Sequence, residues 1–489
     1  MKKGSITVFL ALILSLLLSL VCTSIESVRM AAARTQILSS LDIGLYSLFG
    51  QYDRILLKDY DLFFLNGSGS QGKLNLSSVY DELESYMEPV LKQNSQKLSI
   101  KQGGFSGYRL ATDQDGEVFF RQVVTYMKRT LGIQGIQNLV DQFQESGERV
   151  REAEETGTQS EENQSIENYD LEMDTAAQNS EAARQEEENA SGEGREPELS
   201  DGTPPPQTVN PIPILKRIRN MSLLDLIVPA GTGISENTVE KSALLSGRKC
   251  QKGMGISDEV KKDGSYVSQL LFQHYLDERL GSYTEPANGS LKYQKEYLLC
   301  GKYSDRENLK SVAGRLLMVR EGINAAYLMT DPAKRAQVQS LALAIASAFL
   351  VPPASVIIEA ALFLCWSFGE SILDLRELFH GGKVPLVKHA GNWQLALENL
   401  ADLMEGLDSE RRSDESGLTY EEYLQLLLTS ERKQDKLSRG MDMIEMSIRS
   451  STGQNEFRLD HCIEAIEASV DVRANRKKTF IVKKQYSYI

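Results

Sequence analysis

Histidine, cysteine and tryptophan are scarce here: four, five and two among 489 residues. The first of these shortages narrows the chemistry. His274, His380, His389 and His461 lie far apart, and neither His-Glu-x-x-His nor Gly-x-Ser-x-Gly occurs. Ser311 and Ser367 open no Ser-x-x-Lys pattern. His380-Gly381-Gly382-Lys383 offers a single ligand and reads as a turn. Gly231-Thr232-Gly233-Ile234 lacks the Gly-Lys-Ser/Thr that completes a phosphate loop. Only residues converging from distant parts of the chain could form a catalytic site. The expectation is a protein that is not an enzyme, with no catalytic residues, no cofactor, no metal and no small-molecule substrate identified.

Cys22, Cys250, Cys300, Cys365 and Cys462 are too few and too scattered for a disulfide framework, and none forms a C-x-x-C. Buried free thiols are expected. A single Cys250–Cys300 bridge outside the cell is the alternative. A basic stripe is also missing. The net charge is −14, but residues 145–201 hold 19 acids against four arginines, which leaves the remainder near +1. Nucleic acid is therefore not an expected partner.

What the chain does have is one long apolar run. Lys2 and Lys3 precede it, and no charge interrupts it from Ile6 to Ile25. Twenty helical residues cover about 30 Å, one hydrocarbon core. Ile6, Phe9, Leu10, Leu14, Leu18 and Val21 would face lipid. Three fates fit the segment. It is a retained anchor with its short basic end in the cytoplasm, or a signal peptide cleaved near Cys22-Thr23-Ser24, or a prepilin-type leader cut between Gly4 and Ser5. Phe9 stands where ordinary type IV pilins carry glutamate. Val21 is too bulky before Cys22 for lipidation. Each fate exports the bulk of the chain, so the expected location is the cell membrane, single-pass, with most of the protein extracytoplasmic.

Beyond the run, Val28, Leu38, Leu41, Leu45, Leu48 and Tyr52 recur at helical steps, so the helix is expected to continue into an exterior domain. The fold class is mainly α, within an α+β frame. Its parts are an N-terminal transmembrane helix (1–25), a helical exterior domain (26–143), an acidic disordered linker (144–211) and a mainly helical C-terminal domain (212–489). Asn75 or Ser77 is expected to cap a helix from Leu76 that Pro89 kinks. Gly103, Gly104 and Gly107 predict a loop, and Val118 to Leu131 a short helix. Ile214 to Val228 predicts one helix, and Tyr293 to Leu299 a strand or short helix. Asp305 is expected to cap another helix. Leu341 to Leu350, Pro352-Pro353 and Ala354 to Phe368 read as a helical hairpin, buried in preference to membrane-embedded. Each half is too short to span, and Glu359 lies within the second. Thr419 and Glu422 predict a capping box opening a helix from Leu418 to Ile448. Thr479 to Ile489 reads as a strand pairing with Val470 to Arg473.

Four blocks carry a resemblance: GSITVFLALILSLLLSL…ESVRMAAARTQ, YDRILLKDYDLFFL, EYLLCGKYSDRENL…REGINAAYLM and LTYEEYLQLLL…MDMIEMSIR. Together they resemble uncharacterised, exported, membrane-anchored proteins of low-GC Gram-positive bacteria (Firmicutes), often encoded beside tight-adherence (Tad, type IVc) pilus or secretion genes. The resemblance implies a cell-envelope role as an accessory or pseudopilin-like part of such an assembly, with protein partners there and membrane lipid around the first helix. It implies no activity. An anchored extracytoplasmic ligand-binding or sensing module is the alternative.

Overall fold

The computed structural model describes residues 3–68, 72–93, 98–156, 210–258, 260–348, 355–401, 403, 413–474 and 478–488. In order the elements are α1 (Lys3–Phe49), α2 (Arg54–Tyr60), β1 (Leu65–Asn66), α3 (Leu76–Lys92), β2 (Ser99–Leu110), α4 (Glu117–Thr156), α5 (Ile212–Arg219) and α6 (Leu223–Ile227). Then come α7 (Tyr266–Asp277), α8 (Gln294–Cys300), α9 (Asp305–Thr330), α10 (Pro332–Ala348) and α11 (Ser355–Phe379). The chain closes with α12 (Tyr420–Ser430), α13 (Lys433–Thr452), β3 (Cys462–Ala474) and β4 (Lys478–Ser487). Helix predominates, as the sequence predicts, and the expected terminal hairpin is β3–β4.

Two compact units divide the chain, and neither is contiguous. Unit 1 comprises Met1–Gly132, Lys241–Phe272 and Gly440–Ile489, while unit 2 comprises Ile133–Glu240 and Gln273–Arg439. This differs from the expected division at 143 and 212. The reason lies in strand pairing: β3 is the central strand of unit 1 and lies antiparallel to β1, β2 and β4. Its register with β2 joins Ser99 to Arg473 and Leu110 to Ile463, bridging more than 350 residues of chain. Pairing at that separation leaves no local trace in the sequence.

The β2 strand corrects the predicted glycine loop. Gly103, Gly104 and Gly107 all lie in it, paired with Val470, Ser469 and Glu467. A Cβ at Gly103 would collide with the Tyr80 ring, and one at Gly107 with the Gly255 backbone. Glycine here admits close neighbours rather than a turn. Other corrections are local. Ser304, not Asp305, is the N-cap of α9, because the Asp305 carboxylate is occupied by the Lys292 and Tyr293 amides. The helix predicted from Ile214 is two, α5 and α6. The one predicted from Leu418 is also two, because Glu431 is extended. Pro89 lies in the last turn of α3, which runs on to Lys92. Of the expected strand or short helix at 293–299, the helix is the one formed, as α8 from Gln294 with Tyr293 as its N-cap. The helix from Val118 runs on as α4 to Thr156, with one break at Gly132 (φ +64°). The expected linker at 144–211 therefore begins as helix, and residues 157–209 lie outside the described residues, as do residues 475–477 and Pro352-Pro353.

Two caps stand as predicted. Asn75 accepts from the Ser78 amide at 3.1 Å. Thr419 and Glu422 form the reciprocal capping box of α12.

Candidate functional site

Helix α1 is one uninterrupted 47-residue helix with two environments. From Ile6 to Val28 every side chain is exposed, among them Phe9, Leu10, Leu14, Leu18 and Val21 of the predicted anchor. Leu16 is 70% exposed and Val28 69%. Two hydroxyls along this half bond back to the helix itself: Ser15 Oγ donates to Leu12 O at 2.8 Å and Thr23 Oγ1 to Leu20 O at 2.9 Å. An apolar helix whose polar groups bond internally is what a bilayer requires. By length and composition, α1 can cross a membrane. Gly4 and Ser5, the predicted processing pair, lie in its first turn.

The second half is built into unit 1. Ala33, Ile37, Leu41, Leu45 and Leu48 form an i, i+4 stripe with essentially no exposure, packed with Val79, Leu83 and Met87 of α3 and with Ile466, Val470 and Val472 of β3. At Gly44 the helices approach so closely that a Cβ would lie 2.8 Å from Met87 Cγ. Buried Ser40 donates to Met87 O at 3.2 Å, and Gln36 Nε2 to Val90 O at 3.0 Å. At its end Phe49 packs on the Tyr486 and Tyr488 rings, each 4.8 Å away, and Tyr488 donates to Phe49 O at 2.6 Å. Asp42 is paired with Lys484. With no proline and no non-helical residue between the halves, the exposed part is held rigidly by the folded part.

Unit 2 carries a buried charge network that sequence reasoning missed. Asp374 Oδ2 accepts from Arg320 Nη2 at 2.8 Å and Asn324 Nδ2 at 3.0 Å, and Asp374 Oδ1 from Lys388 Nζ at 2.8 Å. Lys388 also donates to Glu370 Oε1 at 2.6 Å. The four ionisable groups balance to zero. Burial works to raise the Asp374 carboxyl, but Arg320 and Lys388 overcome it and hold it below the usual range. Burial raises that of Glu370 in spite of Lys388. Glu370 and Asp374 stand four apart on α11, one helical face, and that spacing inside an apolar run was the available signal. Every acid of the set is saturated by donors, an arrangement that fixes packing and offers no free base.

The histidines stay separate. His274 pairs with Glu278 at 3.4 Å, His389 Nδ1 accepts from the Gly391 amide at 3.1 Å, and His461 Nδ1 meets Ser68 Oγ at 3.1 Å. Among the described residues no group of three or more His, Cys, Asp or Glu could hold a metal ion. Cys250 and Cys300 are free thiols in this structure. Cys250 Sγ donates to Leu245 O at 3.3 Å inside unit 1, whereas Cys300 is in unit 2, where burial pushes its thiol up to about 11.

A hollow of about 380 Å³ opens in unit 2 between α5, α9 and α11, lined among others by Arg219, Met221, Lys310, Leu317 and Phe368. It shares Lys310, Gly314 and Met318 with a second hollow of about 490 Å³. Both lie in the size range of small-ligand sites.

A model of a family described as being of unknown function, DUF5702, matches residues 201–474. No curated protein and no solved structure matches the chain.

Proposed function

Since the chain belongs to the DUF5702 family of unknown function, whose description lends it no activity, we propose from its own geometry that it is a non-enzymatic, membrane-anchored cell-envelope protein. Within that role it serves as an accessory or pseudopilin-like component of a Tad-type pilus or secretion assembly in a Gram-positive bacterium, with its bulk outside the cytoplasm. One observation carries this reading. A single rigid helix is exposed over Ile6–Val28, apolar and uncharged from Ile6 to Ile25, and then becomes part of the core of an α-helix-on-sheet unit. A leader made only for export has no need to continue unbroken into a folded core. The bare half fits lipid before assembly and like helices after it, since both accept an apolar surface without charge.

Mass mapping of the mature N-terminus from membranes tests it. A start at Ser5 is expected for prepilin-type processing, with the apolar helix retained. An intact Met1 keeps the anchor and removes the pseudopilin part of the reading. A start near Ile25, with protein in the medium, overturns both.

The linked hollows on α9 favour a second reading, an anchored ligand-binding or sensing module. Its test is a thermal-shift screen in which Lys310→Glu removes any ligand-induced stabilisation.

A further inference from the structure

Both tryptophans of the 489-residue chain meet in unit 2. Trp366 comes from α11 and Trp393 from the loop after it, and their rings lie edge to face, 5.5 Å apart at 84°. Each indole N–H donates to the same carbonyl, Leu395 O, at 2.9 Å from Trp366 and 2.6 Å from Trp393. That shared acceptor ties down both polar edges and fixes the corner between the rings. Tyr327 of α9 packs on Trp393 with ring centroids 5.4 Å apart, and its hydroxyl donates to Asp331 Oδ2 at 2.6 Å.

The corner holds a cation. Lys334 Nζ, from the first turn of α10, is 4.5 Å from the centroid of each indole. What that ammonium lacks is an acceptor. It carries three N–H donors, and among the described residues no carboxylate or carbonyl takes any of them. Lys388 shows the contrast: its ammonium, 5.8 Å from the Trp393 ring, donates to Glu370, Asp374 and Asn392 O. Burial pushes the Lys334 ammonium down, and Glu370 and Asp331 offset this only in part. A strongly hydrated primary ammonium is a poor match for a corner that offers faces and no acceptors.

A different cation matches it better. A quaternary ammonium has no N–H to satisfy and is recognised by aromatic faces. The surrounding charge also suits it, since Glu370, Asp331 and Glu398 attract a cation here and Lys388 opposes them. Entry has a route. Lys334 is half-buried, and its neighbours Ala333 and Arg335 are exposed. A flexible stem with no hydrogen bond at its tip can swing to water and clear the corner.

We propose that the Trp366–Trp393 corner is a binding site for a quaternary ammonium of the choline type, free or as a lipid headgroup, with Lys334 as its displaceable plug. None of these three residues lines the hollows beside α9. The site therefore stands apart from both readings of the function. A plug resident about nine-tenths of the time weakens the apparent affinity about tenfold.

The chain has no other tryptophan, so indole emission of the full chain in an alkyl maltoside reads the occupancy of the corner. Choline chloride is titrated against sodium chloride at equal ionic strength. Choline is expected to change the emission, and Lys334→Ala to tighten its apparent affinity about tenfold. Trp393→Leu in the Lys334→Ala background is expected to abolish the response, with Trp366 left as reporter. Lys334→Gln, shorter and uncharged, carries the comparison if the melting curve shows the alanine variant unfolded. Equal or weaker binding by these plug variants overturns the proposal. A methylammonium response as strong as that of choline also overturns it, because an ordinary cation site is then at work. Phosphatidylcholine vesicles, compared with phosphatidylglycerol ones, decide the source. A response confined to phosphatidylcholine assigns a lipid headgroup, and a response to free choline assigns a solute. No response to either form, in parent and variants alike, overturns the proposal. None of these outcomes depends on where the mature N-terminus starts, so failure here leaves the envelope reading standing.

Discussion

Glu296 is buried completely, and its two carboxyl oxygens fare differently. Oε1 accepts from the Tyr283 amide at 2.7 Å and from Tyr420 Oη at 2.8 Å, whereas Oε2 has no hydrogen-bond partner among the described residues. Neighbouring Lys295 is taken up by Asp277 at 2.6 Å. Burial pushes the Glu296 carboxyl up to about 7, and the Tyr283, Tyr420 and Lys295 interactions only moderate it. A raised acid is protonated in the folded protein at a pH where the unfolded chain has released its proton. Its stabilising contribution is therefore complete below about pH 4.5 and is lost as pH rises through 7. Glu296→Gln keeps the acceptor for Tyr283 and Tyr420. At pH 8 it is expected to be more stable than the parent by up to about 3 kcal/mol, with the gain gone at pH 4.5. Urea unfolding at the two pH values checks this, and an equal difference at both refutes it. The charge network behaves in the opposite sense. Lys388→Met leaves Glu370 and Asp374 facing each other with one cation fewer and is expected to cost about 3–5 kcal/mol at pH 7, read by the same unfolding curves. Neither residue announced its role in the sequence, since Glu296 sits in an ordinary short helix and Lys388 in a loop. Their burial depends on elements far away in the chain.

At the scale of the element, α1 and the α12 capping box were legible because their signals are local. An unbroken apolar run, an i, i+4 stripe from Ala33 to Leu48, and Thr419 facing Glu422 all lie within a few turns of helix. The β2 strand was not legible, since three glycines in five residues look like a turn until Val470, Ser469 and Glu467 are placed opposite them. The two halves of α1 can be separated by mutation. Leu41→Ala empties a fully buried position and is expected to cost about 2–5 kcal/mol in unit 1 while membrane retention persists. Leu14→Arg with Leu18→Arg touches only exposed positions. That pair should leave the unfolding curve in detergent unchanged and release the protein on carbonate extraction, at a cost of about 2.5–3.5 kcal/mol per arginine for insertion. If the arginine pair stays in the membrane pellet, α1 is not what holds the chain there.

Across the whole molecule, two units are threaded through one another in sequence, and unit 1 closes only when residues after Gly440 return to it. Neither half of that unit has a complete core alone. Ile463, Ile466, Val470 and Val472 supply one wall, and Leu41, Leu45, Leu83 and Met87 the other. Removing residues 457–489 is therefore expected to open positions 30–132 to protease, whereas unit 2, whose segments end at Arg439, keeps its resistance. Limited proteolysis with mass mapping reads the difference. Pairing across more than 350 residues also makes unit 1 the slower to form, because loop closure precedes any reward from the contacts. Sequence reading recognised the terminal hairpin and placed it in the wrong neighbourhood, as an appendix to the C-terminal region rather than the middle of the sheet.

The bonds that join the end of α1 to β4, from Tyr488 to the Phe49 carbonyl and between Asp42 and Lys484, have a mechanical consequence. Traction on the apolar end enters a sheathed segment, Ala33 to Phe49, about 24 Å long, where many side chains must slide together before any one lets go. Load is thus taken up by the sheet at the helix's flank.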